Sequence, residues 1–130
     1  MLGLDLGTKR IGVAFGVGSV ATPYEVVERG GHLARIIHLV EETGATLVVV
    51  GLPYSLDGSK GPAAKKIERE VEHLRSKLPV PIELWDERFT TVTAHQSLLN
   101  QNAKMKADAR RRVVDKVAAA VMLQSWLDAR

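Results

Sequence analysis

Leu2, Leu4 and Leu6 alternate with Gly3, Asp5 and Gly7, the period of two expected of a strand with one apolar face and one face that carries a single carboxylate. The Gly7-Thr8-Lys9 turn leads to a second apolar strand, Arg10 to Phe15, and Thr22 to Val27 adds a third, so the chain opens as an antiparallel meander. Leu33, Ile36, Ile37 and Val40 then follow the i, i+3, i+4, i+7 spacing of an amphipathic helix that Gly44 stops. Thr46 to Val50 is a continuous β-branched and apolar run, the mark of a strand covered on both faces, as parallel strands are. Ile67, Val71, Leu74 and Leu78 mark a second helix that begins near Pro62 and stops before Pro79-Val80-Pro81, and Ile82 to Trp85 forms another strand. Strand, helix, strand makes a right-handed parallel crossover. Thr90 or Thr91 can cap a short helix over Ala94 to Leu99, the polar stretch Asn100 to Asp108 reads as a loop, and a last helix spans about Ala109 to Leu127. The expected fold is therefore α/β: a mixed five-stranded sheet, three antiparallel strands followed by parallel crossover strands, flanked by helices in one domain over residues 1–130.

Composition narrows the chemistry. The 130 residues include no Cys, which removes thiolate catalysis, disulfides and Cys-ligated zinc, and His32, His38, His73 and His95 are scattered without ligand spacing and read as surface residues. No apolar run approaches the roughly 20 residues that span a bilayer, and the opening strand lacks the layout of a signal peptide, so no membrane association and a cytoplasmic location are expected. A net charge of +3 tolerates polyanions without naming one.

The acids say more. Asp5 sits between two glycines on a strand face, where an unpaired carboxylate costs several kcal/mol unless a cation or a donor faces it. Capping of the Gly7-Thr8 turn is the structural alternative. Asp86 and Glu87 end a strand, where the crevice of an open α/β sheet lies, although either could instead pair with Arg88. Asp115 shares a helical face with Ala118, Ala119 and Met122, small or apolar residues that draw it to the buried side, and a position near the start of the helix offsets its charge through the dipole. One carboxylate from each of these places could assemble a hard-cation site for Mg²⁺ or Mn²⁺. Two such ions about 3.5–4 Å apart hydrolyse phosphodiesters without an organic nucleophile. Lys104, Lys106, Arg110, Arg111, Arg112 and Lys116 crowd the approach to Asp115 and would draw phosphates there, unless they form a solvated helix face. Lys60, in the glycine-containing loop Tyr54 to Gly61, could touch a phosphate backbone or serve only a connection, and Lys9, Arg10 and Arg88 are further cations beside the acids.

Four segments resemble the signatures of the YqgF/RuvX family, in that family's order and across the whole chain: Asp5-Leu6-Gly7-Thr8-Lys9-Arg10-Ile11-Gly12-Val13-Ala14; Val50-Gly51-Leu52-Pro53 with Asp57-Gly58-Ser59; Asp86-Glu87-Arg88-Phe89-Thr90-Thr91; and Val114-Asp115-Lys116-Val117-Ala118-Ala119. The resemblance implies an RNase H-like fold related to Holliday junction resolvases and a nuclease acting on the 5′ end of the 16S ribosomal RNA precursor. It also implies that Asp5, one acid of the Asp86-Glu87 pair and Asp115 are the catalytic metal ligands. Glu87 is favoured over Asp86, although the strand pattern does not separate them. Phe89 stands where an aliphatic residue is more usual, a departure that touches packing and leaves the acids intact.

Asp-x-Gly-Thr after a first strand also resembles the phosphate loop of actin-like ATPases and sugar kinases, which bind nucleotide between two such domains where 130 residues supply one. A non-catalytic nucleic-acid binder would gain nothing from three acids beside a phosphate track, since they repel it unless a cation intervenes. A junction resolvase needs the same residues and a symmetric dimer. The expected partner is nucleic acid, RNA in preference to DNA, bound by a monomer or a homodimer.

Overall fold

A computed structural model describes residues 1–53, 59–89 and 107–130, with the side chains of Phe89, Ala107, Asp108 and Arg110 left aside. Its strands are β1 (Leu2–Leu6), β2 (Arg10–Val17), β3 (Val20–Glu28), β4 (Val48–Leu52) and β5 (Ile82–Asp86), and its helices are α1 (His32–Thr43), α2 (Pro62–Lys77) and α3 (Ala107–Asp128). The strands form one mixed sheet in the order β3-β2-β1-β4-β5. β1 pairs antiparallel with β2 and parallel with β4, and β5 runs parallel to β4, so the meander and the crossover expected from the sequence share one sheet. The short helix over Ala94 to Leu99, its threonine cap and the segment 100–106 lie outside the described residues. α3 starts at Ala107, so the end of the polar stretch assigned to a loop is helical.

The alternation along the strands builds two cores. Leu2, Leu4, Leu6, Ile11, Val13, Val48 and Val50 face one way and pack with Ile36, Leu39 and Val40 of α1 and Val71 and Leu74 of α2. Ala14 and Val49 face the other way, against Ala119, Met122, Leu123 and Trp126 of α3. α1 ends where Gly44 turns left-handed at φ 68°, and the Gly44 N–H returns to the last turn of the helix. α2 opens on Pro62, whose missing N–H is no loss at a helix start.

α3 packs across β1, β2 and β3 with its backbone close to the sheet. The reason is glycine on the facing side of the sheet: a Cβ on Gly3 would stand 2.9 Å from Leu123 Cβ, and one on Gly12 would stand 1.9 Å from the Asp115 carbonyl oxygen. The far end of the helix is tied to the β2–β3 hairpin by Gln124, whose Oε1 accepts from the Ala21 N–H at 2.9 Å while its Nε2 donates to the Ser19 carbonyl at 2.9 Å. Among the described residues no helix is long and apolar enough to cross a membrane.

Candidate active site

Asp5 faces the α3 side of the sheet because Leu4 and Leu6 take the other. Its antiparallel partner is Gly12, and on the other flank Gly51 follows Val50, the parallel partner of Leu4. Both neighbours lack side chains, which leaves room over β1 and β4. Glu87 uses that room. It begins the 3₁₀ turn Glu87–Phe89 directly after β5, and its Oε1 lies 2.4 Å from where a Gly51 Cβ would stand. Glu87 thus folds back over β4, and it lines one cleft together with Asp5.

Asp86 behaves differently. Its carboxylate accepts from Arg88 Nη2 at 2.6 Å, from Arg88 Nε at 3.0 and 3.1 Å, and from the Arg88 backbone N–H at 3.0 Å. That guanidinium holds the Asp86 carboxyl below its ordinary range. Glu87 moves the opposite way: burial, then the charges of Asp5 and Asp86, push it up to about 7. Burial and the charge of Asp115 push Asp5 up to about 6. Asp5 therefore feels Asp115 and Glu87 feels Asp5, which sets the three acids within electrostatic reach of one another.

Asp115 is brought in by α3 but is held by Arg10, whose Nε donates to Oδ2 at 2.7 Å. The dipole offset expected from a position near the helix start does not apply, since Asp115 lies well inside Ala107–Asp128 and that effect fades within the first turn. Arg10 supplies the compensating charge instead. Among the described residues no three acids or imidazoles are gathered closely enough to cage an ion as they stand. The donor set nevertheless suits a hard divalent cation: two half-buried carboxylates share a cleft, each raised by burial and like charge, and a third lies adjacent.

The cleft holds about 310 Å³ at the carboxyl ends of β1 and β4. Beyond the acids it is lined by Leu6, Pro53 and Ile67, with Ala63 and Lys66 from α2. Its floor is braced by Arg29, whose Nε donates to the Gly7 carbonyl at 2.8 Å while Nη1 and Nη2 donate to Glu70 at 2.6 and 3.0 Å. The sequence reading missed this α2 wall. Ala63, Lys66, Ile67 and Glu70 repeat at helical spacing directly after a strand end, and that is the signal by which it could have been found.

The cations singled out in the sequence are dispersed. Lys9 is exposed in the β1–β2 turn, and Lys116 is half-buried on α3. Lys60 pairs with Glu68 at 3.0 Å, Arg112 pairs with Glu28, and Arg111 is exposed. Lys104, Lys106 and the side chain of Arg110 lie outside the described residues, as do positions 54–58 of the glycine-containing loop.

Three comparisons bear on this arrangement. The signature of the family described as "RuvX: Holliday junction resolvase" matches residues 1–129. A protein of Geobacillus kaustophilus described as "Putative pre-16S rRNA nuclease" is 42% identical over 136 residues, covering 99% of this chain and 97% of its own. One of Myxococcus xanthus with the same description is 44% identical over 133 residues, covering 98% and 87%. Among solved structures, Thermus thermophilus RuvC in complex with a Holliday junction substrate superposes with a TM-score of 0.59 at 15% identity, covering 98% of this chain and 94% of that one. The Fowlpox virus resolvase bound to junction DNA gives 0.53 at 8% identity, covering 99% and 98%. These two likenesses establish the RNase H-like architecture.

Proposed function

Because the chain belongs to the RuvX family, we propose that it is a metal-dependent nuclease that hydrolyses phosphodiester bonds of RNA, acting as one domain on the 5′ end of the 16S ribosomal RNA precursor. The observation that carries this reading is the pairing of Asp5 and Glu87 in one cleft, each pushed above its ordinary range. Like charges are held together at such cost where a cation or a reacting phosphate uses them. Asp5 and Glu87 hold the cation, Mg²⁺ or Mn²⁺ and in the full site two ions, with Asp115 as third ligand. When bound, these ions supply activated water and charge stabilisation at the leaving oxygen. The chain's own part is to orient the carboxylates. Gly51 gives Glu87 its path, Gly12 admits α3, and Arg10 fixes Asp115 while Arg88 draws Asp86 away. Ribosomal RNA processing fits a cytoplasmic location.

The test is cleavage of precursor ribosomal RNA, single-stranded RNA, single-stranded DNA and four-way junctions side by side, with Mg²⁺, Mn²⁺ or a chelator. Cleavage of RNA that stops on chelation is expected; undiminished cleavage in excess chelator sinks the mechanism. The resolvase reading has its own support in the family description and the RuvC likeness, and preferential cutting of junctions by a symmetric dimer would favour it.

The acid pair gives a sharper prediction. Glu87→Gln lowers metal-dependent turnover by about a hundredfold or more, the scale of losing one preorganised charge at a reacting centre. Asp86→Asn costs less than about tenfold, because its carboxylate already answers to Arg88. Equal losses in two well-folded variants would remove the distinction. Proton release is a second signature: Mn²⁺ must displace protons from groups that titrate near 6 and 7, so its affinity rises between about pH 5 and about pH 8, which calorimetry in two buffers measures.

A further inference from the structure

The cleft extends past the carboxylates, and its far half has a chemistry that metal binding does not need. Leu6, Pro53 and Ile67 form an apolar wall, and Lys66 stands exposed at the mouth, near enough to Glu70 to stabilise that carboxylate. The whole cleft, acids included, holds about 310 Å³, so the far half is an open recess with room for one face of a base and not an enclosing pocket. We propose that this half-cleft receives one unpaired nucleotide next to the scissile phosphate, with its base against the Leu6, Pro53 and Ile67 wall and a neighbouring phosphate at Lys66. The assignment rests on the nuclease reading and adds to it a substrate requirement, an unstacked base at the cut.

A base inside a duplex keeps both faces stacked and cannot enter a recess between a strand end and a helix, whereas a single strand can turn one base out. An aliphatic wall covers the apolar face of any base and reads none of its hydrogen-bonding edges, so the contact selects for an unpaired nucleotide and not for a sequence. The placement also matches charge to charge: the acids and their cation take one phosphate and the Lys66 ammonium takes the next, while Arg29 is occupied by Glu70 and the Gly7 carbonyl and serves as structure.

The test walks single abasic riboses along a short fluorescein-labelled RNA, with binding read by anisotropy in Ca²⁺ and the cut bond mapped separately in Mn²⁺. One abasic position is expected to weaken binding by about tenfold, the loss of roughly 50–60 Å² of buried apolar surface, and that position lies beside the bond that is cut. Ala63→Gln, on the exposed rim, narrows the recess without adding a ring that could stack on a base; it should erase the discrimination while its melting temperature and Mn²⁺ uptake stay at wild-type values. Lys66→Gln should weaken intact and abasic strands alike. The proposal is overturned if no abasic position matters, if Ala63→Gln discriminates as the wild type does, or if pairing the critical nucleotide into a duplex leaves affinity unchanged. Discrimination without any cleavage would count against the nuclease reading and in favour of the recess, and cleavage without discrimination would do the reverse.

Discussion

Replacing Asp5 by Asn is expected to abolish metal-dependent cleavage and, in metal-free buffer near pH 8, to raise the melting temperature. The two effects share a cause. The folded chain raises the Asp5 carboxyl from 3.8 to about 6, chiefly by burial and then by the charge of Asp115. A carboxyl raised on folding binds its proton more tightly in the native state, so its ionisation costs stability progressively as pH climbs from about 4 to about 6, and the full cost stays above that. Asn keeps the shape and carries no charge, so the cost disappears. Asp5→Asn should melt roughly 5 °C higher than wild type at alkaline pH, the scale of about 1 kcal/mol in a domain of this size. Below about pH 4 the two should converge. Saturating Mn²⁺ reverses the order, because only the wild type gains the stabilisation of a bound cation. Turnover falls by at least about a hundredfold, since a ligand charge is lost at the reacting centre. A variant that melts below wild type at pH 8 and still cleaves would return Asp5 to the role of a turn cap.

That stability is sacrificed at Asp5 was legible in the sequence, and where its partners point was not. The alternation around Leu2, Leu4 and Leu6 fixes which face Asp5 takes, because a strand has only two. The long apolar runs likewise placed α1, α2, β4 and β5 within a residue or two, with Gly44 and Pro62 as punctuation. Asp86 and Glu87 are consecutive, and which one turns inward depends on the 3₁₀ turn that follows β5 and on the empty flank of Gly51, a residue of another strand. No local pattern encodes that. The same holds for Arg10: by sequence it is one more cation near a phosphate path, and across the sheet it becomes the partner of Asp115. The α2 wall of the cleft escaped notice because its residues look like the ordinary half-exposed side of a helix until the end of β1 is brought beside them.

The contact that brings Asp115 to the other acids hangs on Gly12, and Gly12→Ala is expected to be the most damaging glycine-to-alanine change among the described residues. A Cβ there would stand 1.9 Å from the Asp115 carbonyl oxygen, 2.5 Å from its carbon and 3.2 Å from the Lys116 nitrogen. All three are helix backbone, so no rotamer change relieves the clash and α3 must move by more than an ångström. Moving it also strains the Gln124 anchors at its far end and unpacks Ala119, Met122 and Leu123 from the sheet. Overpacking costs about 1–3 kcal/mol when side chains can adjust, and here they cannot, so a loss of roughly 3 kcal/mol or more is expected. Gly3→Ala is the milder comparison. Its Cβ would meet Leu123 Cβ at 2.9 Å, an atom fixed to the helix backbone, so α3 must give there too but by less than at Gly12; it should cost about 1–3 kcal/mol and, lying away from Asp115, leave turnover within severalfold of wild type. Denaturant titration measures the two stabilities. Mn²⁺ calorimetry at low temperature, on the fraction of Gly12→Ala that remains folded, separates displacement of Asp115 from unfolding: weakened cation uptake by a folded variant is the expected result. If Gly12→Ala instead melts with the wild type and binds Mn²⁺ as tightly, the close approach of α3 is not what positions Asp115, and the site would have to be assembled from Asp5 and Glu87 alone.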